Sequence, residues 1–211
     1  MTELLIVIVL SYLVGSIPSA IIAARLTRGI DIREYGSGNV GGTNALRTLG
    51  WKIGMSVMIF DFAKGWFAAY YIAQLGYTNG IIDPLMVQIL AGSFSIIGHI
   101  YTLFAGFKGG KGVGTAAGML LALYPIALLF CFAVFATTVV TTKYVSLASM
   151  LGALTLPISL YIHEQFFEGD IEIARYVFAV LIVFLIFYTH RSNIQRLLKG
   201  EENKFSAYKA S

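Results

Sequence analysis

The sequence predicts an all-α protein, a polytopic membrane helical bundle of about seven spans with its N-terminus outside and its C-terminus in the cytoplasm. Three observations predict it. Of 211 residues, 57% are hydrophobic and only 12% charged, against roughly 25% charged in a soluble domain. Mean hydropathy is +0.77. Apolar runs near the ~20 residues that cross a bilayer recur along the chain, with no polar domain between them. Residues 1–211 therefore read as a single integral membrane domain.

The first run, Glu3 to Leu26, begins MTELLIVIVL, lacks a basic leading segment, and reads as a retained span. Trp51 to Leu75, Ile81 to Ala105, Val145 to His163 and Arg175 to His190 are the other direct candidates. Val113 to Thr142 is either one tilted helix or two shorter ones bent at Tyr124-Pro125. Charge chooses between them. Thirteen of the fifteen Lys and Arg residues lie in 25–52, 108–111, Lys143 and 191–209, whereas linkers 76–80 and 164–174 have none. The second linker holds Glu164, Glu168, Asp170 and Glu172. Only if 113–142 crosses twice do all basic clusters face the cytoplasm, as the positive-inside rule requires. The same rule accounts for the pI near 9.1 without nucleic acid. The lone Cys131, in an apolar run, excludes a disulfide framework.

With that topology, four polar segments share the cytoplasmic side: GSGNVGGTNALR (36–47), GFKGGKGVGT (106–115), TKYVSLAS (142–149) and HRSNIQRLLKGEE (190–202). Gly36, Gly38 and Gly41 match a dinucleotide fingerprint by spacing, but no strand precedes them. The second segment fails the nucleotide-loop pattern, with Ala105 in place of the first glycine and Gly112 in place of the magnesium-binding hydroxyl. No paired carboxylates offer hard oxygen ligands, so the chemistry is expected to need neither metal nor cofactor. What remains is donors: Ser37, Asn39, Thr43, Asn44 and Arg47 in the first segment, Lys108, Lys111 and Thr115 in the second. A helix starting near Thr43 would present Asn44 and Arg47 on one face. The second loop leads into an apolar helix whose N-terminal N–H groups and dipole would face the cytoplasm. Two glycine-rich cationic cradles suggest two phosphate groups. His190 and Asn193, at the end of the last span, are candidates for ligand contact or proton handling. His99 reads as a buried hydrogen-bonded histidine, His163 as an interfacial polar residue, and Asp61 with Lys64 as a structural ion pair.

These motifs, with GHIYTLFAGFKGGKGVGT preceding the second loop and VGSIPSA ending the first span, resemble the bacterial integral-membrane acyl-phosphate:glycerol-3-phosphate acyltransferases, the PlsY family. The resemblance covers essentially the whole chain. It departs at Gly42 and Gly114, where alanine is usual, at Thr102 in place of proline, and at Gly200-Glu201-Glu202 in place of Gly-Thr-Glu. It implies transfer of a fatty acyl group from acyl phosphate to the 1-hydroxyl of glycerol 3-phosphate at the cytoplasmic face of a bacterial inner membrane. The partners it implies are these two substrates and membrane lipid. The catalytic set it implies is Ser37, Arg47, Lys108, His190 and Asn193. Phosphate and substrate binding falls to Gly38, Asn39, Gly41, Thr43, Asn44, Gly109, Gly110, Lys111, Gly112, Thr115 and Ser146. The alternative is a transporter of phosphorylated small molecules, which would place its polar residues near the bilayer midplane.

One further expectation concerns the donor. Glycerolipid acyltransferases that use thioesters carry a His-x4-Asp pair, in which the aspartate orients the basic histidine. Five residues beyond His99, His190 and His163 stand Phe104, Gln195 and Glu168. Only the last is acidic, and the topology puts it outside. An oriented base is therefore expected to be missing, which favours acyl phosphate, whose own phosphate oxygens can take the proton.

Overall fold

The computed structural model describes residues 2–77, 82–168 and 173–205, and every regular element among them is helical. They fall into two units, residues 2–123 and residues 124–205. The first unit holds α1 (Thr2–Gly15), α2 (Ser19–Arg28), α3 (Gly42–Leu49), α4 (Trp51–Tyr70), α5 (Pro84–Ile100) and α6 (Val113–Leu123). The second holds α7 (Pro125–Thr142), α8 (Val145–His163), a π-helical turn at Glu164–Glu168, α9 (Ile173–Thr189) and α10 (Arg191–Lys199).

The first apolar run is interrupted rather than continuous. Pro18 has no N–H for the helical ladder, and the chain breaks at Ser16-Ile17-Pro18. That break is fastened to the end of α5. Ser16 Oγ donates to the Gly98 carbonyl at 3.3 Å, the Thr102 hydroxyl donates to the Ser16 carbonyl, and Tyr12 Oη donates to the Tyr101 carbonyl at 2.7 Å. Thr102, one of the departures from the family pattern, is thus a buried link between two elements. At its other end α5 is started by Asp83, whose carboxylate accepts from the Leu85 N–H at 2.6 Å, with Pro84 at the first helical position. Helices α4 and α6 touch backbone to backbone. A Cβ on Gly65 would overlap the Thr115 carbonyl, and one on Gly118 would overlap that of Phe62.

Residues 113–142 form two helices, α6 ending at Leu123 and α7 starting at Pro125. With 11 residues, α6 is only about 16 Å long, half the hydrocarbon thickness. Among the described residues, four helical stretches (Thr2–Arg28, Pro84–Ala105, Pro125–Thr142 and Val145–Phe166) are long and apolar enough to cross a membrane, or five if the α9–α10 pair, bent by 60°, counts as one span. Helix α4 falls outside that set because Asp61 and Lys64 dilute its apolar face.

Glu164, the first residue of the acidic linker, is buried. It accepts from Tyr176 Oη at 2.5 Å and lies 3.8 Å from Arg175, which ties the end of α8 to the start of α9. The Glu168 side chain, Asp170 and Glu172 lie outside the described residues, and so does the expectation that Glu168 faces outward.

Candidate active site

The first glycine-rich loop is organised by one buried side chain. Asn44, 1% exposed near the start of α3, donates through Nδ2 to the carbonyls of Tyr35 and Asn39, both at 3.0 Å, and of Ile32 at 3.3 Å. Its Oδ1 accepts from the Ser37 N–H at 2.9 Å. A short polar amide can serve several loop groups at once, which is why asparagine suits a tight irregular turn. Gly36 and Gly38 sit at φ +60° and +69°, and a Cβ on Gly36 would overlap Asn44 Oδ1. Gly41 closes the turn against Asn39, whose Oδ1 would lie 2.9 Å from an added Cβ. Ser37 is left exposed at the tip, while Arg47 is half-buried one turn beyond Asn44. Asn44 and Arg47 stand one turn apart on α3, and the Asn44 amide is spent on the backbone of the loop. At the loop's start Asp31 grips Arg33 at 2.5 Å, and that hydrogen bond holds its carboxyl down at about 2.

The second loop folds back on the end of α5. The Gly109 N–H donates to the Ile100 carbonyl at 2.9 Å and the Gly110 N–H to the His99 carbonyl at 3.0 Å. These two N–H groups, expected to close on a phosphate, are therefore spent on orphan carbonyls of a helix C-terminus. What the two glycines supply is a close approach: a Cβ on Gly109 would overlap the His99 carbonyl, and one on Gly110 the His99 ring. The N–H groups without a helical carbonyl to meet are those of the first turn of α6, from Val113 to Thr115, just after Gly112 (φ +83°). Lys108 is exposed and Lys111 half-buried beside them. Thr115 is fully buried.

One narrow crevice touches both loops. Val40 of the first and Gly109 and Gly110 of the second line it, together with Ile17, Pro18 and Ser19 from the α1–α2 break. Its remaining lining is Lys64, His99 and Thr102. Lys64 Nζ is 2.8 Å from Asp61 Oδ1, the ion pair expected from their spacing. The same oxygen accepts from Ser19 Oγ at 2.6 Å and lies 3.5 Å from His99 Nδ1. An orienting carboxylate therefore stands beside His99, contrary to the expectation that none would. No acid follows His99 in sequence, yet Asp61 reaches it from α4.

In the second unit, His190 and Asn193 flank the α9–α10 bend, both buried. His190 Nδ1 donates to the Ile186 carbonyl at 2.8 Å, which makes Nε2 the basic nitrogen of the neutral ring. Asn193 Nδ2 and Ser146 Oγ both donate to Glu202 Oε1, at 2.6 and 2.8 Å, and Arg196 Nε donates to Oε2 at 2.8 Å. Burial acts to raise the Glu202 carboxyl, but these three donors outweigh it and hold it below the usual carboxylate range. Glu202 was absent from the expected site residues, although it closes the HRSNIQRLLKGEE segment and matches the last residue of the family's Gly-Thr-Glu. Among the described residues, no three His, Cys, Asp or Glu side chains converge as metal ligands would.

The model of a family described as glycerol-3-phosphate acyltransferase matches residues 5–200. The chain belongs to the glycerol-3-phosphate acyltransferase family. Proteins of that name from Chlorobium phaeobacteroides (strain BS1) and Chlorobium limicola are each 40% identical, over 97% and 100% of both chains respectively. Among solved structures, the fold is similar to PlsY, an integral membrane glycerol 3-phosphate acyltransferase, in two forms. The glycerol 3-phosphate form has a TM-score of 0.84 and 38% identity, covering 96% of each chain. The lysophosphatidic acid form has a TM-score of 0.82 at the same identity, covering 97% of this chain and 96% of that one. None of these relatives supports a transporter.

Proposed function

We propose that this protein transfers a fatty acyl group from acyl phosphate to the 1-hydroxyl of glycerol 3-phosphate, at the cytoplasmic face of a bacterial inner membrane. The observation that carries the reading is the chain's membership of the glycerol-3-phosphate acyltransferase family, with two glycine-rich loops that both touch one narrow crevice through Val40 and through Gly109 and Gly110. The hydroxyl oxygen of glycerol 3-phosphate attacks the acyl carbonyl carbon, the bond from that carbon to the phosphate oxygen breaks, and the departing phosphate carries off the hydroxyl proton. The products are lysophosphatidic acid and inorganic phosphate. An acyl phosphate is a mixed anhydride and already activated, so no covalent acyl-enzyme is required. Catalysis consists of placing two anions side by side and stabilising charge on the carbonyl oxygen and leaving group.

The assigned roles follow from chemistry and resemblance. Lys108, Lys111 and the first turn of α6 receive a phosphate, and Ser37 and Arg47 orient the second substrate. Thr43, Thr115 and the loop glycines shape these two cradles. By resemblance, His190, Asn193 and Ser146 are assigned to the same reaction. Seven spans with the N-terminus outside would keep both loops cytoplasmic.

The reading is tested with detergent-solubilised protein given palmitoyl phosphate. Phosphate release that requires glycerol 3-phosphate and matches lysophosphatidic acid formed supports it. Release without glycerol 3-phosphate, or none at all, rejects it.

A further inference from the structure

The cleft between the two loops has a floor that the reaction above does not use. His99 meets the second loop in two ways: its carbonyl accepts the Gly110 N–H at 3.0 Å, and its ring fills the space where a Gly110 side chain would stand. The ring is 7% exposed. Nδ1 turns toward Asp61, and Nε2 lies in the space a Gly110 side chain would take. Asp61 in turn holds Ser19 of α2 at 2.6 Å and Lys64 at 2.8 Å, and Lys64 Nζ donates to the Ile17 carbonyl at 3.2 Å. One carboxylate thus braces α2, α4 and α5 against each other directly beneath the loop.

We propose that His99, oriented by Asp61, is a positioning residue that sets the height of the 108–112 loop, and so the affinity for glycerol 3-phosphate. The idea rests on the functional reading above and on that loop receiving this substrate's phosphate. A buried ion pair is a costly place to store charge, and removing one partner destabilises strongly. A loop that needs only shape would be supported as well by an apolar floor. The brace has a fixed geometry instead: donors and acceptors set the ring's orientation as well as its volume. Gly110 is then glycine because the imidazole occupies its side-chain space.

The test leaves Asp61 and Lys64 intact and compares wild type, Gly110→Ala, His99→Ala and the double variant in the same detergent preparation. kcat and KM are measured for each substrate. Gly110→Ala should raise KM for glycerol 3-phosphate by about tenfold while kcat stays within about threefold, the signature of lost uniform binding. His99→Ala should do likewise. In the double variant the added methyl enters space the ring has vacated, so its KM should be no worse than that of His99→Ala alone, a non-additive result expected only of neighbours. Multiplying effects, or a large fall in kcat at unchanged KM, overturns the proposal. If His99→Ala is not recovered folded, His99→Asn completes the same cycle. If neither folds, Gly110→Ala alone decides: unchanged KM for glycerol 3-phosphate overturns the proposal, and raised KM with kcat retained supports it. Wild-type protein that makes no lysophosphatidic acid would reject the functional reading, whereas active wild type with multiplying effects rejects only the role of His99.

Discussion

At the scale of single residues, the first loop depends on two positions of different kinds. Gly36 combines a left-handed backbone with a side-chain space already taken by Asn44 Oδ1, whereas Gly29, at φ +66°, has nothing within 4 Å of an added Cβ. We predict that Gly29→Ala costs only about 1 kcal/mol of backbone strain and leaves activity near normal. Gly36→Ala should displace Asn44 and abolish turnover; melting and transfer assays on both separate the two costs. Asn44→Asp removes both donor hydrogens that hold three carbonyls and should lose about 2–4 kcal/mol, read as a fall in Tm. Arg47→Lys should not restore activity, because a planar fork grips oxygen pairs in a way a compact ammonium cannot. Near-normal turnover would reduce Arg47 to a topology signal. These motifs were legible because glycine, asparagine and arginine are conspicuous in an apolar chain. The use of Asn44 was not, because only the folded loop shows that its amide is spent on backbone groups.

At the scale of elements, Glu202 is the pin of the second unit's tail. Besides its bonds to Ser146, Asn193 and Arg196, the tail returns to the α7–α8 turn, where the Phe205 N–H donates to the Lys143 carbonyl at 2.6 Å. A carboxyl held below its ordinary value stabilises the folded form above the unfolded pKa, and that contribution is lost as pH falls through the folded one. The protection factor of amides over 190–205, the exchange rate of an unstructured amide relative to theirs at the same pH, should therefore stay high at neutral pH and fall only below the ordinary glutamate value of 4.5. Glu202→Gln should be weakly protected throughout and lose the pH dependence. A wild-type tail protected equally at all pH values would contradict this role. The helix break before Pro125 was legible because proline carries its own rule. The Asp61–Lys64 pair was legible because its members stand one helical turn apart. The reach of Asp61 to His99 was not, since a local His-x4-Asp pattern cannot report a partner on another helix. The double use of the first apolar run was also hidden, because its run of hydropathy continues through the break at Pro18.

At the scale of the whole molecule, charge placement predicts that Lys108, Lys143 and Lys199 face the cytoplasm. Cysteines placed singly at these positions in a Cys131→Ser background should be labelled only from inside; labelling of position 143 from outside would contradict seven spans. The donor is the other property of the whole chain. With His99 oriented by Asp61, the lack of a local acid no longer argues against thioesters. The case for acyl phosphate rests on two small basic cradles. The most direct measurement gives purified protein palmitoyl phosphate and palmitoyl-coenzyme A side by side, each with glycerol 3-phosphate, and follows lysophosphatidic acid. We predict product from palmitoyl phosphate, one phosphate released for each acyl group transferred, and negligible product from the thioester; comparable rates from both donors would contradict the account.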